Sequence, residues 1–326
     1  MGLKKVKINY IAVSHETLKS PYEDAFKEIF LNENSDSGET LNKYRFFLGT
    51  ILSNTNNDNP EEKEEDINER VLVYLPLSCE FTADFKNNDI EIDEEYIIKL
   101  PKETNPKLAV CAFMAAPRLY TSLFIKGKCI EKEKVLILNA ATSYGYLACQ
   151  LAHSVGCRVF AEVKSIEEYK FLQSIESTFG GTIIQSSNEN YVEVIKQATF
   201  CLGVDCIIDL YPSHTPKEKK DILESLAPGG RWVTIDFDLQ LDPPDSKALF
   251  FKNATVAFCF EEAYEFYGTE FGKLKTMMEE ILERLQEGKI KVFIENKYSS
   301  IKAFEDTKGN EIKFGSPIIV IDPIDE

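Results

Sequence analysis

The stretch at residues 135–156, VLILNAATSYGYLACQLAHSVG, constrains this chain more than any other. Val135-Leu136-Ile137-Leu138 is a short, unbroken apolar run, as expected of a strand buried on both faces of a parallel sheet. Residues 139–145 form a tight turn of mostly small side chains. From 146 to 155 the apolar residues Leu147, Ala148, Leu151, Ala152 and Val155 fall at helical spacing, and Gly156 supplies a stop. A second apolar run, residues 158–163, follows at once. Strand, turn, helix, strand is a βαβ unit. The first amides of such a helix lack internal partners and carry partial positive charge, so a pyrophosphate docked there satisfies both. The glycines that usually let a backbone approach phosphate closely are mostly missing, and only Gly145 remains.

With 326 residues the chain has room for one large domain or two ordinary ones, and 44% hydrophobic residues suffice for a packed core. No apolar run approaches the ~20 residues of a membrane span. The N-terminal MGLKKVKINYIAV places basic residues before an apolar patch, but Asn9 interrupts it, and a strand is expected there instead of a signal peptide. A formal charge of −17 disfavours nucleic acid and anionic lipid as partners. The eight cysteines are scattered with no CxxC pair, which points to a reducing, cytoplasmic setting. Three histidines without ligand-like spacing point away from a zinc site.

In chain order, residues 5–14 alternate apolar and polar and read as a half-exposed strand. Strand-like runs recur at 44–52, with Gly49 as a bend or bulge, at 71–75 and at 96–100. Polar, breaker-rich loops are expected at 33–40 and 53–69. Short strands with long loops fit a small, partly closed β-barrel. Composition shifts at Pro101-Lys102-Glu103-Thr104-Asn105-Pro106. Residues 108–124 then read as one or two helices broken by Pro117. Beyond the βαβ unit, helices (166–177, 190–199, 217–226) alternate with strands (182–185, 204–210, 232–235), implying a parallel sheet with helices on both faces. Residues 254–260 read as an apolar strand. Residues 273–287 read as an amphipathic helix with Leu274, Met277, Met278, Ile281, Leu282 and Leu285 on one side and Gly288 as stop. A short helix at 304–308 and a strand at 317–321 close the chain.

This order resembles the zinc-free medium-chain dehydrogenase/reductase superfamily, and within it the zeta-crystallin and quinone oxidoreductase branch. The resemblance rests on Arg118-Leu119-Tyr120-Thr121-Ser122-Leu123, Tyr144-Gly145, Gln150-Leu151-Ala152-His153 and Gly203-Val204-Asp205. Above all it rests on Gly230-Arg231-Trp232-Val233-Thr234 and on Leu239-Gln240-Leu241-Asp242-Pro243-Pro244-Asp245-Ser246. It covers the chain from about residue 6 to the end. It implies an α/β chain, with a GroES-like partly closed β-barrel at 1–107, a Rossmann-type doubly wound parallel sheet at 108–290, and a segment at 291–326 that returns to the first domain. Members usually begin with a hairpin that is not recognisable here, so the first domain is expected to be shortened. The Gly-His-Glu and four-cysteine lobe of zinc-dependent relatives are absent.

The resemblance also implies a nicotinamide dinucleotide. Ala141, Thr142, Ser143, Tyr144 and Gly145 occupy its turn, and Thr142 and Ser143 offer hydroxyls where glycine amides are lost. At the end of the second strand Val163 leaves no carboxylate against a 2′-phosphate. Ser165 and Lys170 match the positions that receive one, so NADPH is favoured; a one-residue slip would put Glu162 on the ribose and favour NAD. Arg118 and Tyr211 are candidates for the substrate cleft. Asp209 ends a strand, and His214 just beyond reads as a loop histidine. No catalytic residue is recognisable, because Ser14 and Lys19 stand where members often show Asn and Tyr. Members pair through the strand matching 254–260, so a homodimer is expected. Two functions remain open: an NADPH-dependent reductase of quinones or conjugated carbonyls, and a catalytically silent reductase fold serving as nucleotide sensor or protein-binding scaffold.

Overall fold

The computed structural model describes residues 3–13, 46–54, 69–75, 89–210, 214–266, 271–294, 297–298 and 319–321. The expected loop at 33–40, nearly all of the one at 53–69 and the helix at 304–308 lie outside these residues. By compactness the chain divides into two units. One comprises Met1–Ala116, Tyr264–Gln286 and Val292–Glu326, the other Pro117–Ala263 and Glu287–Lys291.

The first unit is built on a seven-stranded sheet. Its strands are β1 (Leu3–Val13), β2 (Phe46–Asn54), β3 (Arg70–Tyr74), β4 (Asp89–Asp93), β5 (Ile97–Lys99), β12 (Lys297–Tyr298) and β13 (Ile319–Ile321). They run in the order β12-β13-β1-β2-β3-β5, with β4 paired to β1. All contacts are antiparallel except β12 with β13. β4, which the sequence reading passed over, is a short alternating run (DIEID) whose Ile90 and Ile92 are buried. The irregularity expected at Gly49 falls across the ladder, where the β1 register shifts between Ile8 and Tyr10. Gly49 is needed for close approach: a Cβ there would lie 2.7 Å from the Lys7 carbonyl oxygen and closer still to Val6. Helix α8 (Phe271–Gln286) buries Leu274, Met277, Met278, Ile281 and Leu282, so the methionine pair is core.

The second unit is a six-stranded, all-parallel sheet in the order β11-β10-β9-β6-β7-β8. Its strands are β6 (Lys134–Leu138), β7 (Arg158–Val163), β8 (Thr182–Gln185), β9 (Val204–Asp209), β10 (Leu226–Thr234) and β11 (Thr255–Phe258). Counted from β6, this is the doubly wound order 3-2-1-4-5-6, with the chain reversing direction across the sheet at β6 and β9. Its helices are α2 (Ser143–Ser154), α3 (Ile166–Ser174), α4 (Tyr191–Ala198), α5 (Pro216–Ser225) and α6 (Pro243–Phe251); α1 (Pro106–Tyr120) and the short α7 (Ala263–Phe266) each run across the division between the units. Leu136, Leu138, Phe160, Ile184, Ile207 and Trp232 pack with residues of α4 and α5 on one face of the sheet. Val135 and Ile137, pointing the other way, are equally buried, which is why the run carries no alternation.

Three local differences have physical reasons. Pro117 does not break α1, which runs on to Tyr120 and then widens into a π-helical stretch, Thr121–Lys126, closed by the Gly127 N–H on the Ser122 carbonyl. β10 starts at Leu226 and absorbs Pro228-Gly229-Gly230 as an irregularity in its pairing with β9, where a start after the glycines was expected. The helical stretch Pro106–Lys126 is long and apolar enough to pass the test for a membrane span, contrary to the expectation that no run would, yet 78% of its apolar window is buried within the fold.

Candidate functional site

The turn after β6 is shorter than its sequence suggested. α2 begins at Ser143, not 146, because Thr142 caps it: the Thr142 hydroxyl accepts the Gly145 N–H at 3.1 Å and donates to the Asn139 carbonyl at 2.9 Å. Asn139 takes a left-handed backbone (φ 50°) to make the bend. Ser143, Tyr144 and Gly145 therefore form the first turn of the helix. Gly145 survives for a packing reason: a Cβ would stand 2.7 Å from the Ala140 Cα and closer to the Asn139 oxygen. Of the five expected turn residues, Ala141, Ser143 and Tyr144 are at most 3% exposed, and Thr142 has committed its hydroxyl on both sides.

Glu162, near the end of β7, stitches this turn to the sheet. Its Oε2 accepts the Asn139 N–H at 3.0 Å, its Oε1 accepts the Ser186 hydroxyl, and its backbone oxygen takes the Ala140 N–H at 2.8 Å. Burial raises the carboxyl above its ordinary range, while the Ser186 and Asn139 hydrogen bonds pull it back. Beyond β7, Ser165 caps α3 in a reciprocal box with Glu168, whose carboxylate also accepts the Lys164 N–H at 2.6 Å. Lys170 is exposed on α3, and Lys164 lies 3.9 Å from Glu218, which closes the equivalent box with Thr215 at the start of α5. Both boxes are S/T-x-x-E patterns that the sequence displayed. Past the C-terminal ends of β7, β8 and β9 opens a cleft of about 660 Å³, whose lining includes Glu162, Lys164, Ser186, Asn190, Thr215 and Glu218.

At the end of β9 stands a network centred on Asp209, which is fully buried. One oxygen, Oδ2, takes the Trp232 indole N–H at 3.0 Å, the Thr234 hydroxyl at 3.1 Å and His214 Nε2 at 2.6 Å. Burial opposes a charged imidazole, but the bond to Asp209 and the nearby carboxylates outweigh it and raise the His214 pKa. His214 is thus a buried partner of Asp209 and not a solvated loop histidine. The sequence carried no signal for this network, since Thr234 and Asp209 become direct neighbours only through the register of β10 against β9.

Arg118 is 6% exposed and donates its Nε–H to Glu261 Oε1 at 2.6 Å, while its guanidinium lies 4.7 Å from the Tyr144 ring centroid. The structure therefore brings Arg118 to the helix-initiating turn, paired with a carboxylate that sequence reasoning missed. Tyr211 lies outside the described residues.

The sequence is 32% identical over 233 residues to quinone oxidoreductase-like protein 1 of Mus musculus, an alignment covering 68% of this chain and 66% of that protein. The match spans just under two thirds of the relative's length. Among solved structures, the fold matches CurK enoyl reductase with a TM-score of 0.71 at 19% identity, over 98% of this chain and 90% of that one. It matches a Pseudomonas syringae quinone oxidoreductase with a TM-score of 0.72 at 16% identity, over 98% and 91% of the two chains. Over the matched residues the chain is similar in sequence to the mouse relative, and it shares the fold of the reductase structures. No family model matches it. The fold shared with those structures combines an antiparallel sheet and a Rossmann-type parallel sheet. Against the dinucleotide that such a sheet is built to hold, this chain's residues fit in one place and close in another. The polar cleft past β7–β9 suits the nucleoside end. In the turn that would meet the pyrophosphate, Ala141, Ser143 and Tyr144 are buried, and Arg118 lies against the Tyr144 ring.

Proposed function

We propose that the protein is a zinc-independent oxidoreductase that carries hydride from a nicotinamide dinucleotide, NADPH by preference, to a quinone or a conjugated carbonyl. The observation that carries this reading is the polar cleft at the C-terminal edge of a sheet with strand order 3-2-1-4-5-6, the edge where doubly wound sheets take their ligands. Both oxygens of Glu162 are engaged by Asn139 and Ser186, which argues against the reading that places this carboxylate on a ribose. Val163 brings no charge, Lys164 and Ser165 stand where α3 begins and Lys170 is exposed within that helix, which supports a 2′-phosphate. The bound dinucleotide supplies the hydride. The chain's own residues bind, orient and keep out water. Lys164 and the amides of 164 and 165 are suited to hold the phosphorylated ribose once Glu168 gives them up.

The reading includes a cytoplasmic homodimer paired along β11. That strand is the outer edge of its sheet, Phe258 is 51% exposed, and an uncovered apolar edge is a template for a second copy. The described cysteines are free thiols, in keeping with a reducing compartment. Light scattering that returns a clean monomer overturns the dimer.

A second reading, a nucleotide sensor or scaffold without turnover, is favoured by the burial of the turn. Titration of NADPH fluorescence followed by assays with a panel of quinones and enones separates the two. Absence of binding at millimolar cofactor sinks the enzyme, and binding without consumption selects the sensor.

A further inference from the structure

The buried turn and the ion pair beside it act on one another. Glu261 lies just past the end of β11 and is 9% exposed. One of its oxygens takes the Arg118 Nε–H, and the other, Oε2, is buried with no hydrogen-bond partner. Its neighbour Glu262 buries an equally unpartnered Oε2. The groups facing Glu261 are Arg118 from α1 and Glu262 from its own segment, with the Cys259 thiol alongside; Lys126, exposed on the π-helical stretch, is a further cation felt at Cys259. Two carboxylates against one guanidinium leave an excess negative charge in a water-poor place, where it is costly. Burial accordingly pushes the Glu261 carboxyl up to about 7, against the pull of Arg118 and with a push from Glu262.

Arg118 has a second contact, the Tyr144 ring in the first turn of α2. The same guanidinium thus holds Glu261 and rests on the ring of Tyr144, a residue of the first turn of the helix toward which a diphosphate would come. Guanidinium and phosphate are natural partners through charge and paired hydrogen bonds. We propose that Arg118 and Glu261 form a proton-coupled latch: the diphosphate of a nicotinamide dinucleotide takes Arg118 from Glu261, and Glu261 takes a proton from solvent as it is released. This rests on the reading that the chain binds a dinucleotide. The direction follows. Above neutrality Glu261 is ionised in the free protein and must gain a proton on binding, so affinity falls as pH rises. Below neutrality it is already protonated, and affinity is flat.

Calorimetric titration with NADPH, in two buffers of different ionisation enthalpy, counts the protons taken up. The expected result for the unaltered protein is uptake approaching one proton per site and a Kd that rises roughly tenfold from pH 7.5 to 8.5. Glu261→Gln, which keeps the shape without the charge, is expected to bind at least about tenfold tighter at pH 8.5 with no proton uptake. Binding with a flat pH profile, or a Glu261→Gln variant equal to the parent, overturns the latch and leaves dinucleotide binding standing. No binding by either protein at millimolar NADPH overturns both. Should the variant fail to fold, the proton count on the unaltered protein decides alone.

Discussion

Replacing Asp209 tests whether the network at the end of β9 holds the second unit together. Its Oδ2 accepts three donors, from Trp232, Thr234 and His214, in a fully buried position. Asp209→Ala leaves all three without this acceptor, at about 1–3 kcal/mol for each buried donor that finds no other partner. Removing one side of a buried charged pair typically costs about 3–5 kcal/mol, and the same range is expected here because the His214 side chain is buried beside Asp209. That corresponds to a fall in the melting temperature of roughly 6–20 °C. Asp209→Asn keeps an acceptor and loses the charge, so about 1–2 kcal/mol is expected. Trp232 is the one tryptophan in the chain and is wholly buried, so its fluorescence reports on this network directly. The pH dependence has a definite sign. The folded pKa of His214 is raised, so the stability of the pair is fully present below about 6.5 and is lost as pH rises through the folded value. An Asp209→Ala protein melting within about 2 °C of the parent, with unchanged tryptophan emission, refutes the reasoning.

Gly145→Ala forces a Cβ into the backbone of the preceding turn and is expected to cost about 1–3 kcal/mol or more, read as a lower urea midpoint. Gln150, wholly buried, accepts the Lys291 N–H at 2.8 Å and donates to the Lys291 carbonyl at 3.0 Å. Gln150→Ala leaves both backbone groups unpaired, for about 2–3 kcal/mol, measurable in the same denaturation. Glu168→Gln weakens the cap of α3 by about 0.5–1 kcal/mol while removing a negative charge from the Lys164 and Ser165 amides. Fluorescence titration is expected to show tighter NADPH binding and unchanged NADH binding, and an equal change for both refutes the 2′-phosphate assignment.

Much of the parallel sheet was legible because its signals are local. β7 and β8 fall on the residues their apolar runs mark, and β6 and β9 differ by one residue at an end. A strand buried on both faces needs only an unbroken apolar run, which no neighbour has to confirm. β4 was missed because its two buried isoleucines are flanked by acids, and only pairing with β1 makes DIEID a strand. α2 was begun too late because its cap depends on the Thr142 hydroxyl reaching Gly145, and apolar periodicity does not record that.

The candidate site divides in the same way. Residue types along the chain determined that a βα turn stands within 139–145, that one glycine remains in that stretch, and that Val163 ends the next strand. Which charges meet there was decided by the tertiary structure alone. Arg118 and Glu261 are 143 positions apart in the chain, and Asp209 and Thr234 are 25 apart. A hydrogen bond or ion pair between distant residues leaves no period in the sequence, because its energy depends on distance and burial in the folded state and not on spacing along the chain.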